Sequence, residues 1–280
     1  TVAANGAAAG YNAGLVDVGG PSPAINNHNE IAFVADVKNA AGQTQSGVFL
    51  RGSDGRIQPI AVPDQPLPDG GQIQSASSAS INDSGMVAFL AIRTGDEPAS
   101  AYLWEAGMLT LVAHAGSSVP NGGTIHDVWG VWVNNKNHNV LVEASVKATQ
   151  KAASLAHSLF LFTHGMLIPV AVADSALPDG ETLGSVGGGV SAANDAGQHV
   201  FLCTLARNDA GRTRTAAYLI EPDGRVSPVL KSSPTSEPGA IKRVGESSTF
   251  GVGLNNHGQI ALVVLFADAH SSTLVLLTPQ

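Results

Sequence analysis

Three observations in this 280-residue sequence predict an all-β fold, a five-bladed β-propeller with four antiparallel strands per blade. One phrase recurs five times along the chain. That phrase carries the chemistry of a β-hairpin turn. The composition suits short, well-buried strands: 44% of residues are apolar and only 13% charged, with 32 glycines and 15 prolines as punctuation.

The phrase reads Ile25-Asn26-Asn27-His28-Asn29-Glu30-Ile31-Ala32-Phe33, then Ile81-Asn82-Asp83-Ser84-Gly85-Met86-Val87-Ala88-Phe89. It returns at Asn134, Asn194 and Asn255. A period of roughly 50–60 residues is that of a propeller blade or a solenoid unit. The anchoring asparagine bonds its own backbone two residues on, and a glycine three positions later supplies the left-handed conformation that closes the turn. Two repeats place Asn29 and Asn137 where the others have glycine, and asparagine is among the few residues that tolerate that backbone.

Each hairpin leads into a strand apolar on both alternating faces, as in Met86 to Ile92, which belongs between two layers. A third strand follows, such as Gly47 to Leu50, then a turn such as Asp54-Gly55, then a fourth strand such as Ile57 to Val62. Four antiparallel strands per repeat make a propeller blade. The innermost strand, before each asparagine, is rich in small residues such as Ser75 to Ser80, which suits a tight centre. Repeats are expected over 14–66, 72–118, 124–176, 182–233 and 240–280, within a single domain 1–280. The fifth ends without a fourth strand, while Thr1 to Gly6 resembles Leu111 to Gly116. The first residues are therefore expected to complete the last blade. Such a splice removes the exposed edges that an open solenoid would keep.

The Asn-x-x-Gly-x-x-Ala-Phe phrase, most complete from Asn82 to Phe89, resembles the bacterial tandem-repeat family named after that pattern. The loops Leu67-Pro68-Asp69-Gly70, Val119-Pro120-Asn121-Gly122 and Leu177-Pro178-Asp179-Gly180 look like that family's inter-repeat loops. The resemblance implies an exported protein and supplies no catalytic residues. Repeats 3 and 5 depart from the motif, with Leu141 and Leu262 where phenylalanine is expected.

Net charge is −8 with only 14 Lys and Arg, so nucleic acid is not an expected partner. No apolar run reaches transmembrane length. The single cysteine, Cys203, lies in an apolar strand and reads as a buried thiol. No metal-ligand spacing and no phosphate-binding loop appear, so no cofactor or metal is expected. Chemistry that is not repeated in every blade is more informative than chemistry that is. Asp17, Asp127 and Glu246 precede the inner strands of blades 1, 3 and 5 and are the candidate catalytic carboxylates. His126, Trp129 and Trp132 are the candidate ligand-binding residues: an imidazole that hydrogen-bonds and indoles that stack on a sugar ring or fill a core. The Pro-Asp-Gly loops read as turn chemistry.

The leading functional reading is a non-catalytic exported propeller, periplasmic, cell-surface or extracellular, that binds a glycan, a surface polymer or a protein. The alternatives are a glycoside hydrolase-like enzyme using the three carboxylates, and a structural subunit of an envelope or extracellular assembly.

Overall fold

In the computed structural model the described residues are 3–11, 14–18, 23–95, 98–120, 123–135, 138–147, 156–206, 213–235, 237–245, 252–268 and 271–278. Among them there is no helix, and every strand pairs antiparallel within one of five four-stranded sheets. Sheet 1 is β1 (Ala24–Ile25), β2 (Ile31–Lys38), β3 (Thr44–Arg51) and β4 (Ile57–Ala61). Sheet 2 is β5 (Ile73–Ile81), β6 (Val87–Arg93), β7 (Ser100–Glu105) and β8 (Met108–Ala113). Sheet 3 is β9 (Thr124–Val133), β10 (Val140–Lys147), β11 (His157–Thr163) and β12 (Met166–Ala171). Sheet 4 is β13 (Leu183–Ala193), β14 (His199–Leu205), β15 (Arg214–Ile220) and β16 (Val226–Lys231). Sheet 5 splits its inner strand into β17 (Ile241–Val244) and β18 (Gly253–Leu254), both on β19 (Ile260–Phe266), with β20 (Thr273–Leu277) on the other side.

The asparagine hairpins form as their chemistry dictates. Asn82 Oδ1 accepts the N–H groups of Ser84 (3.1 Å) and Met86 (2.9 Å), and Gly85 takes φ of 76°. Asn26 does the same with His28 and Glu30, and Asn29 adopts φ of 60° in place of glycine. Asn137 lies outside the described residues. The third hairpin is one residue longer, closing from Asn134 N–H to Asn139 O rather than to the fourth residue on. That insertion shifts the motif. The residue opposite Phe160, where Phe33 and Phe89 face Phe49 and Tyr102, is Val142. Leu141 is therefore not the phenylalanine equivalent; it faces sheet 4 instead.

Successive residues of each second strand serve two interfaces, which is why these strands read as continuous apolar runs. Ala32, Val34 and Leu50 of sheet 1 pack with Val87, Phe89 and Tyr102 of sheet 2. Ala88 and Leu90 pack with Val140, Val142 and Phe160, and Leu141 and Leu159 with Phe201, Cys203 and Tyr218. Val200 and Leu202 complete the series against Ile260, Leu262 and Val264. Burial pushes the Cys203 thiol up to about 12, which leaves it an inert packing group.

The N-terminal segment is not a strand among the described residues, but it repeats an inter-sheet crossover. Gly6 N–H donates to Leu15 O (2.7 Å) and Leu15 N–H to Ala7 O (3.1 Å). The same pair joins Asp64, Ile73 and Gln65, then Gly116, Ile125 and Ser117, then Asp174, Leu183 and Ser175. In this register Ala9 takes the place of Leu67, Val119 and Leu177, and all four are buried. Ala9 packs on Phe33, Ala35 and Phe49, the face of sheet 1 left free by sheet 2. At the other end, Leu274 and Leu276 of β20 are 72% and 61% exposed. Their register counterparts Val48 and Leu50, Ala101 and Leu103, and Leu159 and Leu161 are all buried.

Candidate functional site

Strand β9 departs from regular pairing twice. Gly130 and Val128 face consecutive residues Glu143 and Ala144, which leaves Trp129 over; Asp127 and Ile125 face Ser145 and Val146, which leaves His126 over. Each is a β-bulge, and a bulge re-aims the side chain it carries. Val128 and Val131 point into the core while Trp129 turns outward, half exposed at 50%. Its indole lies on the His157 ring with centroids 4.9 Å apart and an interplanar angle of 18°. His157 is fixed in turn, with Nδ1 2.6 Å from Oε1 of buried Glu143 and its backbone N–H on Ser185 Oγ (3.0 Å). The indole is thus backed on one face and presented to solvent without loose rotamers to order.

His126 Nδ1 lies 2.6 Å from Asp127 Oδ2. His126, Asp127, Trp129, Thr124 and Lys147 line an open depression of about 850 Å³ at the junction of sheets 2 and 3, which Pro98 also lines. An aromatic wall beside an imidazole–carboxylate pair, a hydroxyl and an ammonium presents one apolar surface and several hydrogen-bonding groups. That combination fits a sugar ring, whose C–H face is apolar and whose rim is hydroxylated.

The structure therefore brings together His126, Asp127 and Trp129. Asp17 does not line this depression. It bridges to Asp36 in sheet 1 and is exposed, with Oδ1 accepting the Val18 N–H. Glu246 lies outside the described residues. Trp132 packs over Gly130, where a Cβ would meet its ring at 2.3 Å, and reaches a different cavity.

That second cavity, about 240 Å³, is lined by residues of sheets 1 to 4 and their asparagine hairpins, and sequence reasoning missed it. The residue after each anchoring asparagine is Asn27, Asp83, Asn135, Asp195 or Asn256. Asn27 Nδ2 donates to Asp83 Oδ2 (2.8 Å) and to Asp195 Oδ2 (2.9 Å). Asp195 also accepts from Asn135 Nδ2 and Asn256 Nδ2, both at 2.5 Å, and Asp83 N–H donates to Asn135 Oδ1 (2.6 Å). The anchors link likewise: Nδ2 of Asn26, Asn82 and Asn194 donates to the backbone carbonyl of the next anchor. The signal was present in the sequence, because the second position of the phrase is always Asn or Asp. These amides and carboxylates spend themselves on one another, so the cluster is a fastener between sheets.

The acidic loop residues are also fasteners. Tyr102 OH donates to Asp69 Oδ1 (3.1 Å) and Tyr218 OH to Asp179 Oδ2 (2.9 Å). Burial alone would raise the Asp179 carboxyl, but hydrogen bonds from Lys231, Tyr218 and the Glu181 N–H hold it below its ordinary value. Sheet 3 carries Phe160 in the tyrosine position, and the loop before it has Asn121 in place of the acid. The acid thus accompanies the tyrosine hydroxyl, which is a structural pairing.

A profile of a family of unknown function, DUF7453, matches residues 1–105 and 81–274. No curated protein matches the sequence. Among solved structures, the β-propeller domain of the trilobed protease from Pyrococcus furiosus is similar with a TM-score of 0.48 at 9% identity, over 95% of this chain and 82% of that one. The GH93 α-L-arabinofuranosidase of Fusarium graminearum gives 0.43 at 12%, over 90% and 79%. An α-L-arabinofuranosidase from Podospora anserina gives 0.35 at 10%, over 95% and 91%.

Proposed function

The chain belongs to the DUF7453 family of unknown function, and from that premise we propose that it is an exported carbohydrate-binding propeller whose ligand lies on Trp129. The observation that carries this reading is the half-exposed indole, stacked on His157 and flanked by His126 and Asp127 in an open depression. The experiment is a glycan-array screen followed by titration of the hits into wild-type and Trp129→Ala protein. Losing the platform is expected to weaken binding at least about tenfold, ~1.4 kcal/mol, with Trp129→Phe restoring part of it. Thermal stability is expected to stay near wild type because the ring is half in solvent. Equal affinity in Trp129→Ala overturns the assignment.

A hydrolytic reading is favoured by one observation, the close His126–Asp127 contact, which is a proton-handling pair beside the same platform. It differs in outcome: the bound glycan would be cleaved, and Asp127→Asn or Glu246→Gln would abolish release of reducing ends while binding persisted.

We further infer that the five sheets form one closed ring, a single domain in which the chain's first residues supply the fourth strand of sheet 5. Three facts support it. Gly6, Ala7 and Leu15 make the hydrogen bonds of a crossover that elsewhere follows a fourth strand. Leu274 and Leu276 are bare where their counterparts in sheets 1 to 3 are buried, and Ile25, exposed at 64%, occupies on sheet 1 the place of buried Ile81 and Val133. Covering the two leucines contributes about 2 kcal/mol each. Native-state hydrogen exchange tests closure: deleting residues 1–6 is expected to speed exchange of the outward β20 amides by roughly tenfold or more. No change overturns closure, and protection that grows with protein concentration assigns that edge to a second copy, the arrangement of an assembly subunit.

A further inference from the structure

The junction of sheets 4 and 5 has the same architecture as the Trp129 depression but opposite chemistry. β17 carries a bulge between Ile241 and Arg243, so Lys242 stands out from the strand as His126 does in β9. Arg243 then corresponds to Asp127. Lys242 and Arg243 are exposed and line a groove of about 410 Å³ together with Arg214 and the hydroxyl residues Thr213, Ser233 and Thr235. Half of the chain's 14 Lys and Arg fall between Arg207 and Arg243, in a protein whose net charge is −8.

Among the described residues neither Lys242 nor Arg243 meets a carboxylate, whereas Lys231 nearby is held by Asp179 (3.0 Å) and Glu181. Arg214 is positioned by Glu181 through one Nη, and its Nε is buried without an acceptor among the described residues; buried donors ordinarily have one. Thr215 and Ser232 use their hydroxyl oxygens on backbone N–H groups, so they shape the groove. Ser233 Oγ shares a hydrogen bond with Thr235 Oγ1 (3.0 Å) and accepts the Thr235 N–H (3.1 Å), which leaves one hydroxyl proton of the pair and a Thr235 lone pair for a ligand. Guanidinium and ammonium groups recognise tetrahedral and planar oxyanions, and hydroxyls suit a saccharide rim. Among the described residues no aromatic side chain lines the groove for base stacking, which separates it from a nucleic-acid channel.

We propose that this groove is a second ligand site, for the oxyanion group of an anionic saccharide bearing sulfate or phosphate. It is independent of the Trp129 shelf, with its own residues and its own probe. The test is calorimetric titration of a sulfated dextran oligosaccharide, its unsulfated counterpart and inorganic sulfate into the full chain, at low and at physiological salt. The sulfated chain is expected to bind, to weaken with salt as exposed charges are screened, and to lose at least about tenfold in the Lys242→Ala/Arg243→Ala variant. Trp129→Ala is expected to leave that titration unchanged. Competition by inorganic sulfate alone identifies the source as a free oxyanion and keeps the site. Lys242→Glu provides a second variant, expected to repel the ligand without touching the core. Equal binding of the unsulfated chain, equal binding by both variants, or a stronger preference for a single-stranded DNA oligonucleotide overturns the proposal.

Discussion

Asp195→Ala is expected to cost about 3 kcal/mol of stability in urea denaturation. The reason is its place as the hub of the Asn/Asp cluster. Its two carboxylate oxygens accept three amide donors from three other sheets: Asn27 of the first, Asn135 of the third and Asn256 of the fifth. Truncation releases all three at once, each worth roughly 1 kcal/mol as a charge-assisted hydrogen bond at a half-buried site. Asp83 supplies the internal comparison. Among the described residues its carboxylate accepts only from Asn27, through the backbone N–H (2.9 Å) and Nδ2 (2.8 Å), so Asp83→Ala is expected to cost about 2 kcal/mol. Asp195→Asn keeps the shape and loses the charge, and falls between wild type and alanine. A double-mutant cycle of Asp195→Ala with Asn27→Ala is expected to show coupling, because the two share a bond. If Asp195→Ala lies within about 0.5 kcal/mol of wild type, the surface default, the sheets are held by their apolar faces alone and the cluster is incidental.

Why the sequence discloses the sheets better than the site follows from where each signal resides. The hairpins are local: Asn82, Gly85 and the alternating residues beyond them interact within a few positions, so the phrase is written in contiguous letters. The Asn/Asp cluster is equally periodic in sequence, yet its meaning is long-range. Nothing in Asn27 or Asp195 taken alone says that one bonds the other, 168 positions away. The third hairpin misleads for a similar reason. One extra residue before Asn139 leaves the pattern legible but slips it by one, and in a strand a slip of one exchanges the faces, sending Leu141 to sheet 4 and Val142 to sheet 2.

The candidate site was half visible. His126, Asp127 and Trp129 stand out as chemistry the other blades lack, and they share a depression. Their common orientation depends on two bulges, and simple alternation would have placed neighbours on opposite faces. Trp132 shows the converse. Without a bulge of its own it folds over Gly130 toward the Asn/Asp cavity, which separates it from Trp129. The basic groove was not visible, because Lys242 and Arg243 acquire their setting from Arg214, which is distant in sequence, as well as from the adjoining β16–β17 connection.

His199→Ile is expected to stabilise the protein at neutral pH and to flatten its acid sensitivity. His199 occupies the β14 position that Ile31, Val87, Val140 and Ile260 hold in the other sheets. It is 1% exposed, and neither ring nitrogen has a hydrogen-bond partner among the described residues. An unsatisfied buried polar group costs about 1–3 kcal/mol, so an apolar side chain of similar volume is expected to recover about 1–2 kcal/mol at pH 7. Burial drives the imidazole down to about 4 from its ordinary 6.5. The unfolded chain therefore binds a proton near pH 6.5 that the folded chain refuses until about pH 4, and this group's contribution falls as pH drops through that window. At about 1.4 kcal/mol per pH unit the loss reaches about 3 kcal/mol by pH 4 and then levels off. The carboxylates titrate in both proteins, so the difference between His199→Ile and wild type isolates the histidine. Urea denaturation at pH 7, 5.5 and 4 is expected to show that difference widening by about 3 kcal/mol. A constant difference would mean that the ring finds a proton acceptor or solvent in the folded state, and the buried, neutral assignment would fall with it.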